Sequence, residues 1–198
     1  MKEVSMTITF RVEDGRSIIP PSAAVITPDQ LAAFRDMLAE QALRLGFALL
    51  LPVYGVTGDP WFEFDARVCH LSLATIARCF DHDPSVIAIL DEAQFLGRRV
   101  RIAQTDRARD IEMRLSLNPD AAPEIVMANP AALTLLDGLG IDRAIAGMVP
   151  MTELRQRLMD PRIRRRLDAD PGMADCVETL SKMAALKPAD GEYLLAWI

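Results

Sequence analysis

The strongest periodic pattern in the chain is that of an amphipathic helix. Thr27 is a candidate N-cap, Pro28 suits the first helical position, and Gln30 completes a capping box with Thr27. Apolar residues then recur at helical spacing until Gly46, a residue type that commonly ends helices. These apolar residues are Leu31, Phe34, Leu38, Ala42 and Leu45. The pattern predicts a helix over residues 28–45 with one buried face.

Alternation of apolar and polar residues predicts β-strands elsewhere in the chain. Residues 7–12 alternate with a period of two, which is typical of a half-buried strand. Segments 99–102 and 111–117 alternate in the same way, and the charged stretch between them predicts a β-hairpin. The apolar segment 47–51 predicts a buried strand, and segment 61–65 predicts a short one.

Helical spacing accounts for most of the remaining residues. One helix is predicted at 71–80, and a second begins at Asp83-Pro84 and continues to about Phe95. Beyond the proline-rich stretch 118–130, apolar residues again recur at helical spacing. The helices predicted there are 130–137, 141–148, 151–158, 161–168 and 172–186. The apolar residues 193–198 predict a final strand or a docked tail.

These elements together predict an α+β fold, with a mixed sheet-and-helix N-terminal part followed by a mainly helical C-terminal part. Composition changes after Leu117, where prolines become frequent. We therefore expect an α+β part at 1–117, a proline-rich connector at 118–130 and a helical part at 131–198. The two parts are able to share one core.

Composition favours a globular protein of the cytoplasm. The chain is 51% hydrophobic, which is enough for a substantial core, and its formal net charge is -6. A negative net charge argues against nucleic acid and against anionic membranes as general partners. No basic segment followed by an apolar run begins the chain, and the three cysteines are an odd number for a disulfide framework. We expect reduced thiols and no membrane segment.

Lysine is nearly absent, and this narrows the chemistry available. No lysine occurs between Glu3 and Ser181, so that interval supplies no Schiff base and no phosphate-loop lysine. The segment Val86–Gln94 resembles the magnesium-binding strand of nucleotide hydrolases, but the partner phosphate loop is missing. A helix that begins after Asp83 explains the same residues better, and no cofactor is expected.

A cluster of cysteine and histidine is the candidate site for metal binding or catalysis. Cys69, His70, Cys79 and His82 lie within fourteen residues and include both histidines of the chain. Thiolate and imidazole are ligands for soft metals, and a thiol beside an imidazole is also a possible nucleophile and base. The spacing matches no established zinc motif, and cysteine is commonly a small buried hydrophobe. The enzyme hypothesis depends on these residues.

A cluster of arginines in the second half of the chain is the candidate partner-binding site. Its members are Arg155, Arg157, Arg162, Arg164, Arg165 and Arg166. Arginine forks match carboxylate and phosphate geometry, although nearby acidic residues also make a solvated helix face a sufficient explanation. Methionine is frequent in the same half, and Trp197 ends an apolar run that would serve for docking if it were exposed.

A DNA-binding function is the third hypothesis for the chain. The segment Leu135–Ile141, followed by Asp142–Val149, has the outline of a helix-turn-helix. The presumed recognition helix offers only Arg143 for contacts with base edges. We therefore expect a non-catalytic adaptor, accessory subunit or inhibitor that binds a protein partner. An enzyme or metal-binding protein and a DNA-binding regulator are the alternatives.

Overall fold

The fold is that of a computed structural model, which describes residues 7–15, 23–52, 60–105, 110–188 and 191–198. Both strands and helices occur in the N-terminal and C-terminal halves of the described residues. In order they are β1 (Thr7–Asp14), β2 (Ala24–Ile26), α1 (Pro28–Leu45), β3 (Leu50–Pro52), β4 (Pro60–Ala66), α2 (Leu73–Arg78), α3 (Pro84–Leu96), β5 (Arg98–Thr105), β6 (Ile111–Pro119), β7 (Ile125–Ala128), α4 (Asn129–Gly138), β8 (Gly147–Pro150), α5 (Met151–Met159), α6 (Pro161–Asp168), a 3₁₀ turn (Pro171–Met173), α7 (Ala174–Ala185) and β9 (Tyr193–Trp197). Antiparallel sheets with packed helices confirm the predicted α+β class.

The chain forms two compact units, one of which is discontinuous in sequence. The central unit comprises Ser17–Ala121, and the terminal unit combines Met1–Arg16 with Ala122–Ile198. The boundary at Ala121 falls inside the stretch 118–130 that the sequence marks as a connector. The division differs from the expected one because β1 pairs with strands from the C-terminal end of the chain.

The central unit is built on an antiparallel sheet with the strand order β2-β6-β5-β4-β3. The predicted hairpin is present as β5 and β6, which pair Val100 with Leu115 and Ile102 with Met113. Residues 106–109 of its connection lie outside the described residues. The four paired side chains are buried in one core with apolar residues of α1 and α3, so this face of the sheet is covered by helices.

Helix α1 forms as its sequence predicts. The Thr27 hydroxyl accepts the Gln30 backbone N–H at 3.2 Å, and the Gln30 side-chain oxygen accepts the Thr27 N–H at 3.0 Å. Both halves of the capping box are therefore made. Gly46 ends the helix in the left-handed conformation, at φ 78°. Phe34, on the buried face, packs against Phe80 with ring centroids 5.2 Å apart.

The segment 47–51, predicted as a buried strand, differs from that expectation. Strand β3 begins only at Leu50 and lies at the edge of the described sheet, where it pairs with β4. Phe47 is partly exposed, whereas Leu49 is buried. Proline lacks a backbone N–H, so a strand that contains Pro52 is better accommodated at an edge than in the middle of a sheet.

The terminal unit has its own antiparallel sheet, with the strand order β7-β1-β9-β8. Phe10 of β1 pairs with Ile125 of β7 on one side and with Trp197 of β9 on the other. The alternating residues Ile8, Phe10 and Val12 all point into the core, as their spacing predicts. Helices α4 to α7 supply the rest of this core.

The predicted helix at 141–148 is wrong, and so is the helix-turn-helix that needed it. These residues form an irregular segment followed by β8, which pairs with β9. The Trp197 indole N–H donates to the Ala144 carbonyl at 3.0 Å, and the Trp197 ring covers Gly147. Long-range pairing and packing therefore outweigh the weak helical spacing of this segment. No recognition helix is present there to enter a DNA groove.

Candidate functional site

Three members of the arginine cluster are held by backbone carbonyls in the terminal unit. Arg155 of α5 donates from Nε to the Ala184 carbonyl and from Nη2 to the Leu186 carbonyl at 2.9 Å. Both carbonyls belong to the C-terminal end of α7, where a helix leaves its last acceptors unpaired. Arg155 therefore joins α5 to α7.

Arg157 and Arg166 hold the C-terminal end of α4 in the same way. Arg157 Nη1 donates to the carbonyls of Leu139 and Gly140, at 3.0 and 2.6 Å. Arg166 Nη1 donates to the carbonyl of Asp137 at 2.9 Å. A positive charge at a helix C-terminus is also favoured by the helix dipole. The bonds of these guanidinium groups therefore stabilise the ends of neighbouring helices.

The other three arginines of the cluster lie on α6 and are exposed. Arg164 forms an ion pair with Asp168 at 3.5 Å, with both side chains more than half exposed. Arg165 Nε donates to the Pro161 carbonyl at 3.2 Å within the same helix. Arg162 has no side-chain ion pair among the described residues. The six arginines therefore differ in their partners: three bond to carbonyls at the ends of other helices, and three do not.

A groove between α5 and α7 brings two of the arginines to an apolar surface. Its volume is about 730 Å³, within the range of ligand and peptide sites. From α5 the lining residues follow the i, i+3, i+4 spacing of one helix face, and those from α7 follow the same spacing. The lining residues are Arg155, Leu158, Met159, Arg164, Ser181, Ala184, Ala185, Lys187 and Pro188.

The charges on the groove all have one sign. Arg155, Arg164 and Lys187 line it, and none of the described lining residues is acidic. Arg155 also lies near Glu192, whose pKa is lowered mainly by hydrogen bonds from Thr152 and further by the Arg155 charge. Within a chain of net charge -6, the groove is thus a local cationic surface.

Lys187 is the charged groove residue that the sequence analysis did not single out as a site residue. It follows the C-terminal end of α7 and is exposed. A signal was present in the sequence, since a lysine followed by Pro188 closes a predicted helix in a chain with three lysines. The arginine run stands out because its charges are close together in sequence, whereas the charges of the groove come from separate elements.

The methionines of the second half divide between the core and the surface. Met151, Met173 and Met183 are buried in the terminal core. Met159, at the end of α5, is 81% exposed and lines the groove. An exposed methionine offers an adaptable apolar surface, and Met159 places such a surface on the groove.

Trp197, predicted as a docking residue, is placed in the core instead. It is 4% exposed on β9 and packs against Phe10 with ring centroids 6.3 Å apart. The apolar run at 193–198 therefore contributes a strand to the sheet and not an exposed anchor. The reason is that β9 is an inner strand, paired with both β1 and β8, so that its inward side chains pack in the terminal core.

The cysteine and histidine cluster does not assemble into a ligand set. In the described part of the chain, which includes Cys69, His70, Cys79 and His82, no three cysteine, histidine or acidic side chains are placed to hold a metal ion. His70 is exposed and meets the edge of Phe47, with ring centroids 5.4 Å apart. The metal-binding interpretation of these four residues is therefore not supported by their placement.

The thiols are poorly suited to nucleophilic chemistry. Burial, together with the smaller effects of the charge and hydrogen bond of the adjacent Asp120 carboxylate, raises the pKa of Cys69 to about 12. Burial also raises the pKa of Cys79 and of Cys176. Because the thiolate is the reactive form, these environments lower reactivity at neutral pH. All three cysteines are free.

A buried carboxylate in the central unit also escaped the sequence analysis. Asp65 of β4 is 1% exposed, and its oxygens accept from Arg101 Nε at 2.9 Å, the Ser116 hydroxyl at 2.9 Å and the Asn118 amide. These partners come from β5 and β6, so the network links three neighbouring strands. Both carboxylate oxygens are occupied, which favours a structural role over a catalytic one.

Comparison with known proteins adds no assignment. No protein-family model matches the chain, and neither a curated protein nor a solved structure matches it. Among the described helices, none is both long and apolar enough to cross a membrane. Function is accordingly inferred from the chemistry of the chain's own residues.

Proposed function

We propose that this chain is a non-catalytic protein-binding protein, such as an adaptor, accessory subunit or inhibitor, and that its partner binds the groove between α5 and α7. The observation that carries the proposal is the exposure of Met159 within an apolar groove with cationic sides. Exposed apolar surface bordered by polar residues is typical of protein interaction sites. Free thiols with raised pKa values are in keeping with a cytoplasmic protein that does not use cysteine chemistry.

Site-specific photo-cross-linking tests the proposal directly. A benzophenone amino acid replaces Met159 in the groove, and a matched variant carries it at Leu43 of the central unit, which is 87% exposed. Both proteins are expressed in the native host and irradiated. We expect a discrete protein adduct from position 159 and none of comparable yield from position 43. Equal adducts at both positions, or none at position 159, would refute the groove as a protein-binding site.

A further inference from the structure

We infer that the groove accommodates an acidic amphipathic helix, whose apolar face packs on the groove and whose carboxylates pair with the groove's cations. This inference rests on the proposed function and adds the chemistry of the partner. It follows from three properties of the groove: the sign of its charges, the availability of two of its cations, and the nature of its apolar walls.

Charge complementarity determines the sign of the partner. The groove is lined by Arg155, Arg164 and Lys187, and no described lining residue carries a carboxylate. A basic or neutral segment would cover Arg164 and Lys187 without offering them a new ion pair, which costs desolvation energy without compensation. An acidic segment gains ion pairs in a partly desolvated setting, where they are stronger than in free solution.

Arg164 and Lys187 are the cations available to a partner. The ion pair of Arg164 with Asp168 is long, at 3.5 Å, and more than half exposed, so water already competes with it. Lys187 is exposed and has no ion pair within the described residues. Arg155 is different, because its guanidinium is already bound to the end of α7. We therefore assign partner recognition to Arg164 and Lys187 and helix joining to Arg155.

The walls of the groove favour a helix as its occupant. Both long walls are helix faces, and among the described lining residues none belongs to a strand edge that could pair with an added β-strand. None of these described lining residues is aromatic either, although aromatic walls are typical of sites for extended proline-rich segments. The small, exposed side chain of Ala185 allows a neighbouring helix to approach α7 closely, with Met159 as an adaptable contact.

An anionic amphiphile such as a fatty acid presents the same two chemical groups. A fatty acid site encloses the hydrocarbon chain, whereas this groove leaves Met159 81% exposed. A protein helix covers such an open surface and keeps its own outer face in water. The exposure of Met159 therefore favours a protein helix over a fatty acid as the occupant of the groove. Laurate serves as the fatty acid probe in the experiment below.

Selection from a peptide library tests the inference with the full-length protein. The library displays helical peptides of about four turns with all surface positions randomised. It is selected on the wild-type chain and, in parallel, on the double variant Arg164→Glu with Lys187→Glu. We expect wild-type selection to enrich peptides with apolar residues at i, i+3 or i+4 and i+7, flanked by Asp and Glu. Enrichment of basic or charge-neutral peptides would overturn the inference.

Measured affinities for the best enriched peptide provide the matched control. The groove double variant should weaken binding about tenfold or more; wild-type binding should weaken as the salt concentration rises, whereas binding by the double variant should not. Arg162→Glu with Arg165→Glu alters the same number of exposed charges outside the groove, and it should change the affinity less than about twofold. Equal losses in both double variants, or tighter binding of laurate than of any peptide, would contradict an acidic helix as the occupant.

The two proposals fail in different ways. A protein adduct at position 159 together with no acidic peptide enrichment would leave protein binding intact and refute the acidic helix. Neither an adduct nor any enriched peptide would refute both.

Discussion

Arginine side chains in the terminal unit act mainly on the ends of neighbouring helices. Arg155 bonds to the end of α7, and Arg157 and Arg166 bond to the end of α4. A guanidinium group carries five N–H donors in a fixed plane, so one side chain is able to satisfy two carbonyls from separate nitrogens, as Arg155 does from Nε and Nη2. The dense arginine run is therefore explained in part by the number of short helices whose ends need donors.

Arg157 provides the sharpest test of this structural role. Arg157→Ala removes two bonds to carbonyls at the end of α4 and the ion pair with Glu153. We expect the free energy of unfolding to fall by about 1–3 kcal/mol, because partly buried carbonyls lose charged donors. Arg162→Ala, on exposed α6, should change it by less than about 0.5 kcal/mol. Urea denaturation measures both, and equal effects would show that Arg157 has no special role.

Cys69 should be the slowest thiol to react in the native protein. Its pKa of about 12 leaves almost no thiolate at pH 8. Cys69 lies beside Asp120 and beside Arg98, the first residue of β5. We expect iodoacetamide to modify Cys69 far more slowly in the folded chain than in urea, as followed by peptide mass spectrometry. Rapid native modification of Cys69 would mean that its thiolate is stabilised, and would revive the enzyme hypothesis.

At the level of elements, those with a local signal in the sequence could be predicted, and those that depend on distant partners could not. Helices α1, α3 and α6 have local signals, namely a capping residue, a following proline and a periodic apolar face, and each was predicted nearly to its residue bounds. Strand β8 has no comparable local signal. It forms because β9 supplies its hydrogen bonds and Trp197 covers Gly147, and both partners lie about fifty residues further along the chain.

The same distinction applies to the groove. Its arginines were found because they are adjacent in sequence, and Met159 was one of several methionines noted for their frequency. Lys187 and the alanines of α7 were not found, since only the packing of α5 against α7 places them beside Arg164. A site assembled from side chains of three helices has no spacing motif of its own.

Gly147 is required by the contact between β8 and β9. A Cβ atom at this position would clash with the Trp197 ring, which is buried and fixed by its hydrogen bond to Ala144. We expect Gly147→Ala to destabilise the protein by about 1–3 kcal/mol, as overpacking does. Met148→Ala, at the neighbouring exposed position, is the control and should have little effect in thermal unfolding. A stable Gly147→Ala protein would argue against this packing.

Helix α5 lacks a capping side chain of its own, and Glu192 takes that role. Its carboxylate accepts the Thr152 backbone N–H at 3.2 Å and also the Thr152 hydroxyl, and these bonds lower the pKa of Glu192. A carboxylate with a lowered pKa stabilises the fold at pH values above its ordinary pKa, and this contribution is lost as pH falls through the lowered value.

Glu192→Gln should therefore have a pH-dependent effect on stability. We expect the variant to be less stable than the wild type at neutral pH, with the difference shrinking as the pH is lowered into the acid range where Glu192 becomes protonated. Melting temperatures across this range measure the difference. Glu178→Gln, which removes the exposed ion pair with Lys182, is the comparison for an acidic residue without a capping role. A difference that is independent of pH would contradict the capping role.

The described residues form two hydrophobic cores, each of which belongs to one compact unit. Phe34 and its neighbours form the core of the central unit, while Phe10 lies in the core of the terminal unit with Trp197. Because β1 is an inner strand of the terminal sheet, residues 7–14 are essential to a unit whose other elements begin more than one hundred residues later. The order of the chain therefore differs from the order of its folding units.

Two matched core variants test whether the units lose structure separately. Phe10→Ala and Phe34→Ala each remove a fully buried ring, and each should cost about 3–5 kcal/mol in its own core. Amide hydrogen exchange followed by mass spectrometry shows which strands are destabilised by each substitution. We expect Phe10→Ala to raise exchange in β7, β8 and β9, and Phe34→Ala to raise it in β2, β5 and β6. If either variant raises exchange equally in both sets of strands, the two cores unfold as one cooperative unit. A partner bound at the α5–α7 groove would then stabilise both units instead of the terminal unit alone.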